Sequence, residues 1–369
     1  MKKFYDMIDT PAMLIDEKIT LNNIKMMQDL ADSRGVDLRP HIKTHRMTYF
    51  AKLQMSAGAT GIACAKIGEA EVMADAGLEN IFIANEIIGI CKYERLKILN
   101  RKVKTLRIGV DNKFQIDQIE KIFKGEKPLE VLIEYEVGEV RSGVINDEDL
   151  LFLAKYIKSK KNVVLKGIFS HEGHTYKASS MEACKVKAIE AYSRTVRAAE
   201  LIRAEGIPLK IVSVGATPSI MNGAYLEGIT EFRLGTYIFF DLGQALAIND
   251  FGKCSASVLA SIISKPTDSR VVIDAGAKAL VSQNRTEGIC ATNGFGYVKG
   301  SHDVRLKGLF DEHGIIENKE YSQEVSIGDK IEVIPSHICP TVNLYDKVYL
   351  INDDHIVKEI SVDCRGKSQ

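Results

Sequence analysis

Two stretches carry residues whose types and spacing suit chemistry. The first is Arg39-Pro40-His41-Ile42-Lys43-Thr44-His45, where one lysine stands between two histidines just past a proline. A lysine amine is nucleophilic at neutral pH only when burial or nearby cations lower its pKa, and a strand mouth at a barrel rim supplies both. Schiff-base chemistry with a carbonyl is what such an amine does. A surface lysine in a turn has the same local sequence, so the surroundings must decide. The second stretch is Pro335-Ser336-His337-Ile338-Cys339-Pro340-Thr341. In an extended segment, residues two apart share a face, so His337 and Cys339 would aim imidazole and thiolate together. That pair suits a divalent ion of zinc type, with positions left open for water and substrate. A structural cysteine beside a loop histidine gives the same pattern.

The elements that must position these groups follow from hydrophobic periodicity. Apolar runs over residues 36–42, 61–64, 81–84, 106–110, 129–134, 163–169, 210–214 and 231–233 alternate with amphipathic stretches, the longest over 181–204. Such alternation predicts parallel strands with crossovers, and eight units predict a closed (β/α)8 TIM barrel. An open doubly wound sheet is the alternative, weakened by the lack of a GxGxxG after an early strand. Ahead of the barrel a strand is expected over 12–15, with Thr20 as N-cap of the next helix. After about residue 245 the texture changes to short β-branched runs over 257–263, 270–273, 304–306, 330–334, 347–351 and 355–360. They predict an all-β domain that the N-terminal strand joins. The expected domains are a barrel over 18–245 and a β-domain from 1–17 plus 246–369.

Composition narrows the partners. Forty-nine basic and forty-nine acidic residues cancel, which leaves no electrostatic case for nucleic acid or an acidic membrane surface. No apolar run is long enough to span a bilayer, and the opening Met1-Lys2-Lys3-Phe4-Tyr5-Asp6 lacks the apolar core of a leader. Seven cysteines without a CxxC pair fit a reducing, cytoplasmic setting.

Barrel chemistry sits at the C-terminal ends of strands. Those ends here read His41 to His45, Asn85-Glu86, Asp111-Asn112, Glu134 to Gly143 with Arg141, Ser170 to Tyr176 with His171 and His174, Ser213 to Pro218, and Arg233 to Tyr237. Helix caps and turn glycines account for any one of them. The joint pattern of polar ends on apolar strands is harder to explain that way. Gly215-Ala216-Thr217 and Gly235-Thr236 offer backbone N–H groups and hydroxyls on the seventh and eighth strands, where barrels often hold a phosphate. A phosphate on one side and a lysine on the other are the two anchors of pyridoxal 5'-phosphate (PLP).

With these residues in view, the sequence resembles the D-threonine aldolase / D-serine dehydratase family of fold-type III PLP enzymes, relatives of alanine racemase. The likeness spans nearly the whole chain. It rests on Thr10-Pro11, Pro40 to His45, Lys66, Glu69 and Glu71, Glu134 to Gly143, Gly173-His174, Ser213 to Pro218, Asp274-Ala275-Gly276, and Pro335 to Cys339 with Asn343 to Asp346. The resemblance implies PLP on Lys43, with Arg141 near the cofactor's phenolic oxygen and Tyr176 among the cofactor contacts. Gly215, Ala216, Thr217, Gly235 and Thr236 would hold the phosphate, and Arg233 would face the pyridine nitrogen. His337 and Cys339 would bind a divalent metal (Mn, Zn or Mg). A small D-amino acid substrate and a head-to-tail homodimer, the β-domain of one subunit near the barrel mouth of the other, are implied as well.

Activities within that family diverge. Aldolases typically carry His-x-Asp at the metal and dehydratases His-x-Cys, so Cys339 points to a dehydratase, as does Ser213-Val214-Gly215-Ala216-Thr217-Pro218. Pro340-Thr341, Asn343-Leu344 and Asp346 look more aldolase-like. The first expectation is a D-threonine aldolase, splitting a D-3-hydroxy amino acid into glycine and an aldehyde, with His174 or a water as base. The alternative is a D-serine/D-threonine dehydratase, an ammonia-lyase in which Lys43 takes the Cα proton and a keto acid and ammonia leave. A racemase would have no use for the metal pair, and a barrel-only PLP-binding protein would lack the β-domain.

Overall fold

The computed structural model describes residues 3–353 and 355–369. Met1 and Lys2, which open the segment read for a leader, and Asp354, within the expected β-domain, lie outside the described residues. The chain divides into two compact units: Met26–Lys43, Thr48–Gly235 and Gly366–Gln369 form one, and Met1–Lys25, Thr44–Met47 and Thr236–Arg365 the other.

The barrel unit holds eight parallel strands: Asp37–Leu38, Ile62–Cys64, Asn80–Glu86, Thr105–Val110, Leu129–Glu134, Val163–Phe169, Ile211–Val214 and Glu231–Phe232. From the second strand onward consecutive strands pair, and the first pairs with the last through Asp37 and Glu231. A bridge between His41 and Ala63 closes the ring. The regular ladder of the first strand is shorter than the run expected over 36–42. Pro40 has no N–H to give, so the pattern is interrupted there. Backbone bonds nevertheless continue to Ile42, whose N–H donates to Ala63 O at 2.9 Å. That continuation carries the chain to Lys43. The TIM-type barrel expectation is correct.

Polar caps start the intervening helices. Asn112 caps Lys113–Ile122 by accepting from Gln115 N–H at 3.1 Å, and Asn146 caps Asp147–Lys158 by accepting from Asp149 N–H at 2.9 Å. Met181–Ala204 spans the residues the periodicity predicts, with Ser180 as its cap. Inside the barrel Phe82, Leu132 and Phe169 pack together, the two aromatic rings edge to face at 5.1 Å.

The barrel also buries a salt bridge. Arg39 Nε lies 2.7 Å from Glu231 Oε2, with the side chains 4% and 3% exposed, and Arg39 Nη1 reaches Asn80 Oδ1 at 3.0 Å. Arg39→Met would leave the buried Glu231 carboxylate without this countercharge, though still accepting from the Ser213 hydroxyl at 2.8 Å. We expect a loss of about 3–5 kcal/mol in denaturant unfolding; a change under about 1 kcal/mol would mean that the barrel relaxes around the lone carboxylate.

The second unit is a nine-stranded, mostly antiparallel sheet. Ala12–Asp16 runs antiparallel to Ala256–Ser264 and parallel to Lys347–Asn352, so the N-terminal strand does join this sheet. Phe4, Tyr5, Ile8, Ala12, Leu14, Leu259 and Ile351 form an apolar cluster around it. Three local expectations change. The first helix is Glu17–Ser33, capped by Asp16, whose Oδ1 accepts from Ile19 N–H at 2.9 Å; Thr20 lies inside it and donates to Asp16 O at 2.7 Å. An aspartate at a strand end offers a better acceptor than a threonine a turn later. The strand expected over 304–306 is Leu306–Leu309, and short strands Gly296–Val298 and Gly314–Glu317 appear where glycine masked the alternation. The His337–Cys339 segment is not extended: Ile338–Val342 is a one-turn helix with His337 as its N-cap residue. Pro340 sits in its first turn, where a missing N–H costs nothing. No helix among the described residues is long and apolar enough to cross a membrane.

Candidate active site

Strand ends of the barrel unit surround a cavity of about 410 Å3, lined by His41, Lys43, Ala65, Ala84, Asn85, Glu86, Glu134, Arg141, Ser142, Phe169, His171 and Arg233. Lys43 stands two residues past His41, and His171 two past Phe169, so strand alternation brings each pair to the inner face. Lys43 is half-buried, and its N–H lies 3.4 Å from His41 Nδ1. Arg141 is half-exposed and pairs with buried Glu134 at 3.0 Å. Arg233 is buried: its Nη2 donates to Ser170 O at 2.7 Å and its guanidinium lies 5.1 Å from the Phe169 ring centre.

Of the two histidines near the sixth strand, His171 lines the cavity and His174 does not. Burial, together with the charges of Lys43, Arg141 and Arg233, pushes the His171 pKa well below its ordinary value, which keeps the ring neutral. Its Nδ1 lies 3.3 Å from Gly215 O. Donation from Nδ1 to that carbonyl leaves Nε2 as the basic atom. His174 instead packs against Gly138, where an added Cβ would stand 3.1 Å from its Cε1. The Tyr176 ring meets His171 edge to face at 6.5 Å. Strand parity counted from Phe169 was the signal that separates the two histidines. Glu86, Glu134 and Glu172 are further polar residues that the sequence reading did not single out as site residues.

The Gly215-Ala216-Thr217 turn has the form of a backbone cradle. Gly215 has φ +144°, and a Cβ there would lie 2.7 Å from Leu234 Cδ2. Behind it, Glu172 accepts from Gly215 N–H at 3.3 Å and from the Tyr192 hydroxyl at 3.0 Å. Gly215→Ala should lower stability by about 1–3 kcal/mol through strain and crowding. It should weaken PLP binding in the same protein; a thermal midpoint and PLP affinity equal to the parent's would count against a built cradle.

In the second unit, His337 Nδ1 lies 2.7 Å from Gln283 Oε1, and Cys339 Sγ lies 3.3 Å from the Thr44 hydroxyl. Thr236, expected among the phosphate contacts, has its hydroxyl 3.9 Å from Cys339 Sγ. Buried Asp241 accepts from Ile338 N–H at 3.1 Å and fixes the turn between the two candidate ligands. Among the described residues no group of three or more His, Cys, Asp or Glu side chains could hold a metal.

Both implied groups suit the residues present. Arg233 Nε is buried without a hydrogen-bond partner among the described residues, which suits an acceptor nitrogen such as that of the PLP ring. Lys43 places an amine in the same cavity as Arg233, whereas the Gly215-Ala216-Thr217 turn stands outside that lining and its Gly215 N–H is taken by Glu172. For the metal, imidazole with thiolate suits a divalent ion of borderline softness, and Gln283 orients the His337 ring through Nδ1.

Comparison with known proteins decides the family. The model for the alanine racemase N-terminal domain matches residues 15–242, and that for a putative serine dehydratase domain matches residues 255–351. The chain belongs to the D-threonine aldolase / D-serine dehydratase family of fold-type III PLP enzymes. It is 30% identical to a D-threonine aldolase of an Arthrobacter species, over 98% of this chain and 94% of the relative. It is 33% identical to the D-threo-3-hydroxyaspartate dehydratase of Delftia sp. strain HT23, over 90% of this chain and 92% of the relative. Among solved structures, a cysteine-to-alanine variant of a D-threo-3-hydroxyaspartate dehydratase in its metal-free form superposes with a TM-score of 0.88 at 29% identity, covering 96% of this chain and 97% of that one. The family's lyases include aldolases and dehydratases, and the likeness is of similar strength to both.

Proposed function

We propose that the protein is a PLP- and divalent-metal-dependent lyase of D-3-hydroxy amino acids, with D-threonine aldolase activity as the leading reading. The observation that carries it is the convergence of Lys43, Arg141, neutral His171 and Arg233 on one cavity. The barrel over 18–245 is assigned the cofactor, and the β-domain of 1–17 and 246–369 the metal, on His337 and Cys339. A homodimer in the cytoplasm, acting on a small D-amino acid, completes the reading.

Bound PLP supplies an electron sink for the pair released when a bond to the substrate Cα breaks. A divalent ion on His337 and Cys339 supplies Lewis-acid polarisation of a hydroxyl. The chain's own residues do the rest. Lys43 would hold the cofactor, and its amine is the candidate to take a Cα proton in an elimination. Arg141 would face the phenolic oxygen and Arg233 the ring nitrogen. The phosphate is assigned to Gly215, Ala216, Thr217, Gly235 and Thr236, and Tyr176 to the cofactor contacts through its neighbour His171. His171 Nε2, kept unprotonated by its surroundings, is the candidate base for the β-hydroxyl proton in a retro-aldol cleavage, in place of His174.

Aldolase is placed first on Pro340-Thr341 with Asn343-Leu344 and Asp346. Cys339 in the metal pair supports the dehydratase as the second reading. Product analysis with D-threonine and D-serine, in the presence of PLP and Mn²⁺ or Zn²⁺, separates them. Glycine with acetaldehyde supports the aldolase; 2-oxobutyrate or pyruvate with ammonia supports the dehydratase. Alanine isomers interconverting without metal would remove both in favour of a racemase.

A further inference from the structure

Ala84, Asn85 and Glu86 all line the cavity, although strand alternation should turn the middle of three away. The pairing of Asn80–Glu86 with the next strand slips between Ile83 and Glu86, and this bulge re-aims the strand end. The bulge is held from both sides. Asn85 Nδ2 donates to Ala65 O at 2.9 Å, and Asn85 Oδ1 accepts from Glu86 N–H at 3.0 Å. The neighbouring strand leaves room for it with Gly109, where a Cβ would stand 3.2 Å from Asn85 O and 2.9 Å from Phe169 Cζ. The result sets the Glu86 carboxyl against that of Glu134.

Glu134 is itself held from the other side. Its Oε1 accepts from Arg141 Nη2 and its Oε2 from the Ser142 hydroxyl, both at 3.0 Å. Gly143 wraps the same loop over it, with φ +105° and room for no Cβ nearer than 3.1 Å to Glu134 Cγ. A half-buried carboxylate set against a buried one does not ionise alongside it at neutral pH. The proton falls to Glu86: burial, then Glu134 and Asp111, push its pKa up to about 9, while the hydrogen bond from Glu86, then Arg141 and Ser142, hold Glu134 low against its burial. The other charged groups of the cavity wall are Lys43 and Arg233, with His171 neutral.

We propose that Glu86 is a positioning residue, which shares one proton with Glu134 and thereby fixes the carboxylate that holds Arg141. The inference rests on the cofactor reading only for what Arg141 faces. At neutral pH, Glu86 donates to Glu134, and the pair carries one negative charge against the one positive charge of Arg141. When Glu86 ionises, two adjacent carboxylates repel and the Arg141 loop loses its fixed anchor.

Infrared difference spectroscopy of the full chain, recorded with and without PLP, tests this. The parent should show a protonated-carboxyl stretch near neutral pH that disappears around pH 9, and Glu86→Gln should lack both the band and the transition. With PLP bound, the cofactor absorbance should shift over the same pH range in the parent and not in Glu86→Gln. Glu134→Gln, which leaves Arg141 without its carboxylate, should weaken PLP binding about tenfold. A purely structural Glu86 would lower the thermal midpoint without moving any pH midpoint. The proposal is overturned if the parent has no such band near neutral pH, or if band and transition persist in Glu86→Gln. Because the band is also read without PLP, absence of a PLP spectrum would defeat the cofactor reading while the shared proton of Glu86 and Glu134 would still be tested by the band alone.

Discussion

Changing Lys43 to alanine removes the visible absorbance of lysine-bound PLP and lowers lyase turnover by at least about 10⁴-fold, the scale on which covalently acting residues are felt. Lys43 is the lysine of the cavity wall. Its backbone is fixed by the strand continuation from Pro40 to Ile42 and by the contact of its N–H with His41 Nδ1 at 3.4 Å. A lysine elsewhere in the barrel cannot take its place without rebuilding that strand end. Lys43→Arg keeps the charge but offers no amine that forms and releases a Schiff base, so it should be as inactive as the alanine variant while disturbing the cavity's electrostatics less. Thermal unfolding of both variants should stay near the parent's, because Lys43 is only half-buried. An unchanged absorbance spectrum in Lys43→Ala would remove the cofactor assignment.

Chelation, or replacement of His337 or Cys339 by alanine, lowers turnover by about 100-fold or more while the PLP absorbance remains. The separation of the two readouts is the substance of this prediction. Lys43 and Arg233 belong to the barrel unit, whereas His337, Cys339, Gln283 and Asp241 belong to the sheet unit. Cys339→Asp keeps an anionic ligand and should retain metal, measured as bound ion per chain, where Cys339→Ala loses it. Full turnover in metal-stripped protein would leave His337 and Cys339 as structural residues. It would also return weight to a racemase.

Legibility of the fold and of the site differed for physical reasons. The barrel was readable because each strand is a short apolar run, and because glycines with positive φ, Gly58, Gly77 and Gly206, follow three of the helices. Lys43 was readable because Pro40 marks a strand end and the next inward position but one carries the amine. His171 was open to the same parity rule, yet the family motif drew attention to His174, which packs on Gly138 instead. The Glu86–Glu134 pair was beyond reach of local reading. The two residues sit on different strands, and the bulge that turns Glu86 inward shows no local sequence mark beyond an asparagine before it. The His337–Cys339 segment misled in another way. Pro340 suits both an extended chain and a first helical turn, and what selects the helix is Asp241, nearly a hundred residues earlier, accepting from Ile338 N–H.

The claim on which the rest depends is that Lys43 carries PLP. Borohydride reduction of the PLP-loaded full-length protein, followed by peptide mass mapping, tests it most directly. The phosphopyridoxyl mass should be found on Lys43, and addition of a D-3-hydroxy amino acid before reduction should diminish it. Labelling of a different lysine, or none at Lys43 in protein that binds PLP, would contradict the account.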